Sequence, residues 1–307
     1  MGVPHAAQAG AAGELWVLGE ALVDEFHDGA VPGGAPFNLA RSLAALGLAP
    51  RFITRINPQD EAGRCLLDSA RRYGLDTAAW QLDTAHGSGR VQVLEQGGSH
   101  RFEILADVAW DHLQPLAARA PGCVYYGTLM QRQPASRAAL RAAIKQAAGP
   151  RFLDLNLRPG ADTPELIAES LMLADWVKVN EDELQRLLAL FTPDVPDLGA
   201  LMARFALRWL VVTRGAQGYQ LFDASGRLQA QGGGEPVPRL VDTVGAGDAF
   251  TAVLLGALLL GRDVAAALAL ANRYAAMICG QRGPLPPDPQ DLAPWRAALW
   301  ALPEAAA

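Results

Sequence analysis

Leu240-Val241-Asp242-Thr243-Val244-Gly245-Ala246-Gly247-Asp248-Ala249-Phe250 joins an apolar lead-in to a turn of small residues, a lone carboxylate and, at once, a helix-forming run from Ala249 to Leu260. A strand, a glycine turn and a helix start in that order leave backbone N–H groups without intrahelical partners, and such groups make an anion site. A carboxylate in that cradle repels the anion it is meant to hold. Asp248 therefore points to a chemical task beside a phosphate, such as taking a proton from an attacking hydroxyl. Phosphoryl transfer is the reaction to test against the remainder of the chain.

Two common nucleotide motifs are missing. The third glycine of a dinucleotide fingerprint would fall on Phe250, and the only lysines, Lys145 and Lys178, follow no glycine-rich loop as a Walker A lysine does. Neutralising a transferring phosphoryl group then falls to backbone amides and the helix dipole, with Asp248 as base. Taken alone, a Gly-x-Gly-Asp turn is also an ordinary strand-to-helix connection.

The chain of 307 residues is half hydrophobic with a formal charge of −6. That length buries one large core, arranged as one α/β domain with a small appendage or as two domains. The acidic balance offers no field to a nucleic-acid backbone, so no nucleic-acid partner is expected. Cys65, Cys123 and Cys279 are odd in number and lack metal-ligand spacing, which suits packing roles in a reducing cytoplasm. Residues 1–13 lack a basic start followed by an apolar core and read as a disordered leader. The most apolar run, Ala249 to Leu260, falls short of the ~20 residues a bilayer crossing needs, so no membrane partner is expected. His27, His86, His100 and His112 show no paired metal spacing, so solvent-exposed or lid polar roles are expected ahead of metal ligation.

In chain order, Leu15 to Leu18 is a continuous apolar run closed by Gly19, the pattern of a strand buried on both faces. Gly33-Gly34-Ala35-Pro36-Phe37-Asn38 then opens a helix, with proline at an early position and Asn38 toward any ligand. Arg51 to Ile56 reads as one strand and Asp60 to Gly74 as a helix opening on acidic residues. Polar alternation over residues 88–105 around Gly97-Gly98 marks a half-exposed hairpin, which serves either as a lid or as an oligomer surface. From Cys123 strands and helices alternate, implying a mostly parallel sheet with helices on both faces. Ligands bind such sheets at the carboxyl ends of strands, where Asp154, Asn156, Arg158, Asn180, Glu183, Thr213, Gly215 and Gly218 fall. Leu201 to Leu207 reads as a further helix, and Trp16, Trp176 and Trp209 as core. Phe102 and Trp110, beside the hairpin, either stack on a sugar, seal the lid or simply pack.

Gly33-Gly34 with Asn38, Asp154-Leu155-Asn156-Leu157-Arg158, Lys178-Val179-Asn180-Glu181-Asp182-Glu183, Thr213-Arg214-Gly215-Ala216-Gln217-Gly218 and Asp242 to Asp248 follow one another in an order that resembles the ribokinase-like (PfkB) carbohydrate kinases, the bacterial fructokinase branch in particular. The resemblance spans about Leu15 to Pro287. It implies an α/β ribokinase-like fold, with a kinase domain over 14–301 and a small β lid formed by about 22–33 and 88–105. It implies ATP-dependent phosphorylation of a sugar hydroxyl, with fructose or a related ketose as acceptor. Asp248 then matches the catalytic base, and the amides of Gly245, Ala246 and Gly247 the anion hole. Asp24, Gly34, Asn38 and Arg158 match sugar or phosphate contacts; Thr213, Gly215, Gly218 and Asn272 match nucleotide contacts. Asn180 and Glu183 match the motif that organises Mg²⁺, mostly through water. Asp242, with carbonyls near Val244, Cys279 and Gly283, resembles a K⁺ site. The implied partners are a small sugar and ATP, with homodimer pairing through the lid as a further option.

The chain departs from the family pattern in two places. Asn57-Pro58-Gln59-Asp60 puts Pro58 where relatives carry a glycine, and Pro159-Gly160-Ala161 lacks the tryptophan that often follows Arg158 in fructokinases. Both touch sugar choice rather than phosphoryl transfer. A nucleoside or sugar-acid (2-keto-3-deoxygluconate) kinase of the same fold, and a sugar-binding regulatory protein without activity, are the competing expectations.

Overall fold

The computed structural model describes residues 14–26, 29–96, 99–116, 120–194 and 197–305. The expected leader, His27, and the Gly97-Gly98 turn lie outside the described residues, and so do the side chains of His100 and Phe102.

The first strand, β1 (Leu15–Leu18), is fully buried and pairs in parallel with strands on both sides. After it come β2 (Leu22–Phe26), β3 (Gly29–Gly33) and the helix α1 (Ala35–Ala45). The run expected as one strand divides into β4 (Arg51–Ile53) and β5 (Arg55–Ile56), because β4 pairs with β1 whereas β5 leaves to pair with β6 (Gln81–Leu82). Between them, α2 (Glu61–Arg72) is capped by Asp60, whose carboxylate accepts from the Gly63 N–H at 2.6 Å and the Ser88 N–H at 2.7 Å. A Cβ at Gly63 would come within 1.8 Å of the Asn57 carbonyl, so the turn holding Pro58 seats directly on the helix start.

β7 (Gly89–Gln96) and β8 (Ser99–Ile104) form the expected hairpin, which joins β2 and β3 in a four-stranded sheet of order β3-β2-β7-β8. The chain then alternates: β9 (Cys123–Tyr126), α3 (Pro134–Gln146), β10 (Arg151–Asp154), α4 (Pro164–Met172), β11 (Trp176–Asn180), α5 (Glu181–Phe191), α6 (Leu198–Arg204) and β12 (Trp209–Thr213). α6 starts three residues before the expected Leu201 because the Asp197 side chain caps it, accepting from Gly199 N–H at 2.8 Å. β13 (Tyr219–Asp223) and β14 (Leu228–Gly232) extend the sheet antiparallel and were not foreseen. α7 (Ala246–Leu259), α8 (Val264–Cys279) and α9 (Ala293–Trp300) complete the order.

The eight-stranded sheet runs β14-β13-β12-β11-β10-β9-β1-β4, parallel from β12 to β4. Alternate residues feed two cores. Leu15 and Val17 face the side covered by α1, α7 and α8, while Trp16 and Leu18 face that covered by α3, α4, α5 and α6. Tyr125, Phe152, Trp176 and Trp209 stand in register on four adjacent strands and form a ladder with centroid spacings of 6.1, 6.4 and 5.6 Å. α7 is buried continuously from Ala249 to Leu258, as its all-round apolar sequence requires. Among the described residues no helix is long and apolar enough to cross a membrane. The strand order reverses beside β1, with β4 on one flank and the later β9 on the other, and in sheets of this kind ligands bind at the carboxyl ends beside such a reversal.

Candidate active site

Gly245 takes φ 80°, and a Cβ there would meet Pro284 Cβ at 2.4 Å, so glycine alone fits this turn. α7 follows at once. The Ala249 N–H is bonded in helical fashion to the Gly245 carbonyl at 2.8 Å, and the Ala246 N–H reaches the Thr243 carbonyl at 3.3 Å. The expected anion hole of three amides is thus partly engaged at Ala246. The N–H groups of Gly247 and Asp248 take no backbone acceptor among the described residues.

Asp248 stands on the first turn of α7, and Asn38, on α1, donates from Nδ2 to its Oδ2 at 2.8 Å. Burial above all pushes the Asp248 carboxyl up to about 6; the Asn38 hydrogen bond, Lys178 and Arg158 restrain the rise and the Asp154 charge adds to it. Asn38 is itself held. Arg41, one helical turn on, donates to Asn38 Oδ1 at 2.6 Å, to Ser69 Oγ at 2.7 Å and to the Pro32 carbonyl at 3.0 Å, with its guanidinium 4.2 Å over the Phe37 ring. Sequence reasoning missed Arg41. A cation three residues from Asn38, inside an otherwise apolar helix, was the available signal.

Beneath the turn lies a buried ion pair. Lys178 Nζ sits 2.9 and 3.0 Å from the two Asp154 oxygens, and the Thr251 hydroxyl lies 2.9 Å from both Asp154 Oδ2 and the Gly247 carbonyl. Burial pulls the Lys178 ammonium down, but Asp154, Glu183 and Asp248 outweigh it and the net shift is upward. The pair thereby ties β10 and β11 to the start of α7.

Glu20, directly after β1 and Gly19, is also absent from the expected set. It is 3 % exposed, and its Oε2 has no hydrogen-bond partner among the described residues. Burial pushes its carboxyl up to about 7, against its own backbone N–H, Arg158 and Arg132, with Asp248 adding to the rise. Gly34, at φ 100°, passes so close that a Cβ would lie 2.7 Å from the Glu20 carbonyl. A charged residue at the carboxyl end of a buried strand was legible as a candidate. Asp24 lies on β2 against Gly33, where a Cβ would stand 2.6 Å from Asp24 Oδ2, and burial pushes its carboxyl up to about 6. Arg158 is exposed, donates to the Leu157 carbonyl at 2.9 Å, and acts electrostatically on both Glu20 and Asp248. Trp110 is 1 % exposed and packs with Val108, Leu129, Ala161 and Leu166 beneath Arg132, with Ile104 and Leu105 of the hairpin end against the same cluster.

A second set gathers farther along the sheet. Asn180 and Glu183 form a capping box at the start of α5: Asn180 Oδ1 accepts from Glu183 N–H at 2.8 Å, and Glu183 Oε2 from Asn180 N–H at 2.9 Å. Glu183 Oε1 accepts from Leu157 N–H at 2.8 Å. Thr213 is register-paired with Asn180 across β11 and β12. Gly215 and Gly218 follow at φ 51° and 92°, and a Cβ at Gly218 would lie 2.0 Å from the Gly232 carbonyl. Asn272, on α8, donates to the Gly233 carbonyl at 2.8 Å. Asp242 accepts from Val244 N–H at 3.0 Å and Gly283 N–H at 3.2 Å, fixing the loop before Gly245.

The arrangement is a buried carboxylate at a helix start, with Glu20, Asp24 and Asn38 on the β1–β2 side and Gly215 and Gly218 on the β12–β14 side. Comparison with known proteins agrees. The profile of the pfkB family carbohydrate kinases matches residues 14–291. A fructokinase of Klebsiella pneumoniae is 33 % identical over 266 residues, covering 80 % of this chain and 84 % of that one. An aminoimidazole riboside kinase of Salmonella typhimurium is 33 % identical over 270 residues, covering 79 % and 80 %. The crystal structure of a fructokinase from Vibrio cholerae O395 with fructose, ADP and calcium superposes with a TM-score of 0.78 at 28 % identity, over 95 % of this chain and 99 % of that one.

Proposed function

Because this chain belongs to the pfkB family of carbohydrate kinases and is an ATP-dependent sugar kinase, we propose that it phosphorylates a hydroxyl of fructose or a related ketose with Asp248 as the base. The Asn38–Asp248 hydrogen bond carries this reading. It fixes one carboxylate oxygen and leaves the other for the acceptor hydroxyl, beside the amides of Gly247 and Asp248. Those amides and the α7 dipole bear on the transferring phosphoryl oxygens. Asp24, Gly34 and Arg158 contact the sugar, and Thr213, Gly215, Gly218 and Asn272 the nucleotide.

The capping box fits Mg²⁺ held through water. Both Glu183 oxygens already accept backbone N–H groups, so the carboxylate offers its remaining lone pairs to water rather than direct coordination. The bound ion supplies neutralisation of phosphate charge. Asp242 is engaged by two N–H groups and supports a K⁺ site by orienting its own loop and the Gly283 turn. The β3-β2-β7-β8 sheet acts as the lid that keeps water from ATP, with its open edges available to pair with a second chain.

The equal identity to an aminoimidazole riboside kinase makes a riboside the second acceptor. A panel of ketoses, aldoses, ribosides and sugar acids with ATP, followed by ADP release, tests the reading. The highest kcat/KM falls on a ketose; a higher value on a riboside replaces the ketose assignment.

A further inference from the structure

Away from the candidate active site, the hairpin of β7 and β8 is entered through His86 and left through Asp107 and His112. The two imidazoles stack with centroids 3.7 Å apart and planes 16° apart. Each has a carboxylate on one nitrogen: His86 Nδ1 lies 2.8 Å from Asp83 Oδ2, and His112 Nε2 lies 2.8 Å from Asp107 Oδ1. A carboxylate accepts, so His86 donates at Nδ1 and presents a lone pair at Nε2. The His112 Nε2 proton instead faces Asp107, and a metal ion held by both residues takes that proton's place, the ring then carrying its proton on Nδ1. Asp83 is fixed as an orienting group. It is 3 % exposed, accepts from Ala85 and His86 N–H at 2.7 and 3.1 Å, and pairs with Arg55 at 2.9 Å. Arg55 also donates to the His112 carbonyl at 2.9 Å, so one cation links both histidine-bearing segments.

We propose that His86, His112 and Asp107 bind one divalent transition-metal ion of the zinc class, which clips together the segments entering and leaving the β7–β8 hairpin. One ligand atom from each of the three lies within 4.8 Å of the others. Ligand atoms around a tetrahedral zinc lie roughly 3.3 Å apart, so capture needs small rotations that turn one imidazole out of the stack. The rings are 28 % and 31 % exposed and have room to turn. Asp107, at φ 58°, holds a left-handed backbone that non-glycine residues seldom adopt, and this sets its carboxylate against His112. The carboxylate–histidine pairing of Asp83 and His86 is the arrangement that orients metal-binding imidazoles. Two imidazoles and a carboxylate select zinc, cobalt, nickel or copper over Mg²⁺, separating this site from the phosphate-side ion.

The test uses the full-length, chelator-stripped protein titrated with Co²⁺ and followed in the visible spectrum, then with Zn²⁺ in competition, both in excess Mg²⁺. One Co²⁺ per chain, displaced by Zn²⁺, is expected. His86→Gln, which keeps a donor for Asp83, and His112→Gln should each weaken binding at least about tenfold, and the exposed Asp107→Ala should change the spectrum. Unchanged affinity in the double glutamine variant, or no binding in the micromolar range, overturns the proposal.

Discussion

Asn38 on α1 and Asp248 on α7, 210 residues apart in sequence, meet in a hydrogen bond of 2.8 Å at the first turn of α7. The bond couples the ionisation of Asp248 to the state of α1. In its proposed role as base Asp248 must be ionised to accept a proton, and burial pushes this carboxyl up to about 6, so kcat/KM should fall about tenfold per pH unit below that value.

Replacing Asn38 by Ala removes the largest influence holding that value down. The acid limb should move to higher pH, so that activity at about pH 6 drops roughly tenfold more than at about pH 8.5, given the usual strength of hydrogen bonds to charged groups. A pH–rate series on both proteins is the measurement. Superimposable normalised profiles would mean that Asn38 does not set the Asp248 ionisation.

Asp248→Asn keeps the shape of the side chain and deletes its basicity. Single-turnover phosphorylation should slow by roughly 10²–10⁴, while calorimetric affinities for ATP and sugar change little. Near-normal turnover would take the base role away from Asp248.

Glu20 sets a pH dependence of stability. The unfolded carboxyl ionises at its ordinary 4.5 and the folded one at about 7, so the protein holds its extra proton between those values and sheds stability as pH rises through them. Glu20→Gln carries no such proton. Relative to the parent it should gain up to about 3 kcal/mol near pH 8 and nothing near pH 4. Urea denaturation at both pH values decides; an equal difference at each contradicts the linkage.

Lys178→Met leaves Asp154 buried at 2 % exposure with Thr251 as its remaining side-chain donor. The loss should be about 3–5 kcal/mol, with much of it restored when Asp154→Leu is added, because the cost lies in the stranded charge. A double-mutant cycle by denaturation reads this directly.

How much of this was legible follows from which forces act locally. Strands such as β1 and β9 announce themselves, since burial on both faces demands unbroken apolar runs. The Gly245 turn was visible because backbone geometry dictates its residue type, whereas Asn180 and Glu183 were picked out by their place after a strand and by the family motif, and their capping box came only with the structure. Arg41, Glu20 and the Lys178–Asp154 pair were harder. Their meaning depends on partners 24 to 97 residues away or on burial created by the whole sheet, and a lone charge in a sequence reads as solvated. β13 and β14 were missed because their pattern of partly exposed residues is that of a sheet margin, with less apolar continuity than the central strands. The proximity of His86 and His112 arises from the hairpin bringing its own ends together, which no local spacing encodes.

The separation of Asn38 from Asp248 has a consequence for biosynthesis. At ribosomal speeds of about 5–20 residues per second, Asn38 leaves the exit tunnel roughly 10–40 s before Asp248 does. Through that interval α1 carries Phe37, Leu39 and Leu43 without α7 to cover them, apolar surface of the kind that makes incomplete chains prone to aggregate. The proposed base, Asp248, arrives with the very helix that covers those side chains. Catalytic competence is therefore acquired in the same event that hides this sticky surface, and the appearance of kinase activity during translation would time the sealing of the core.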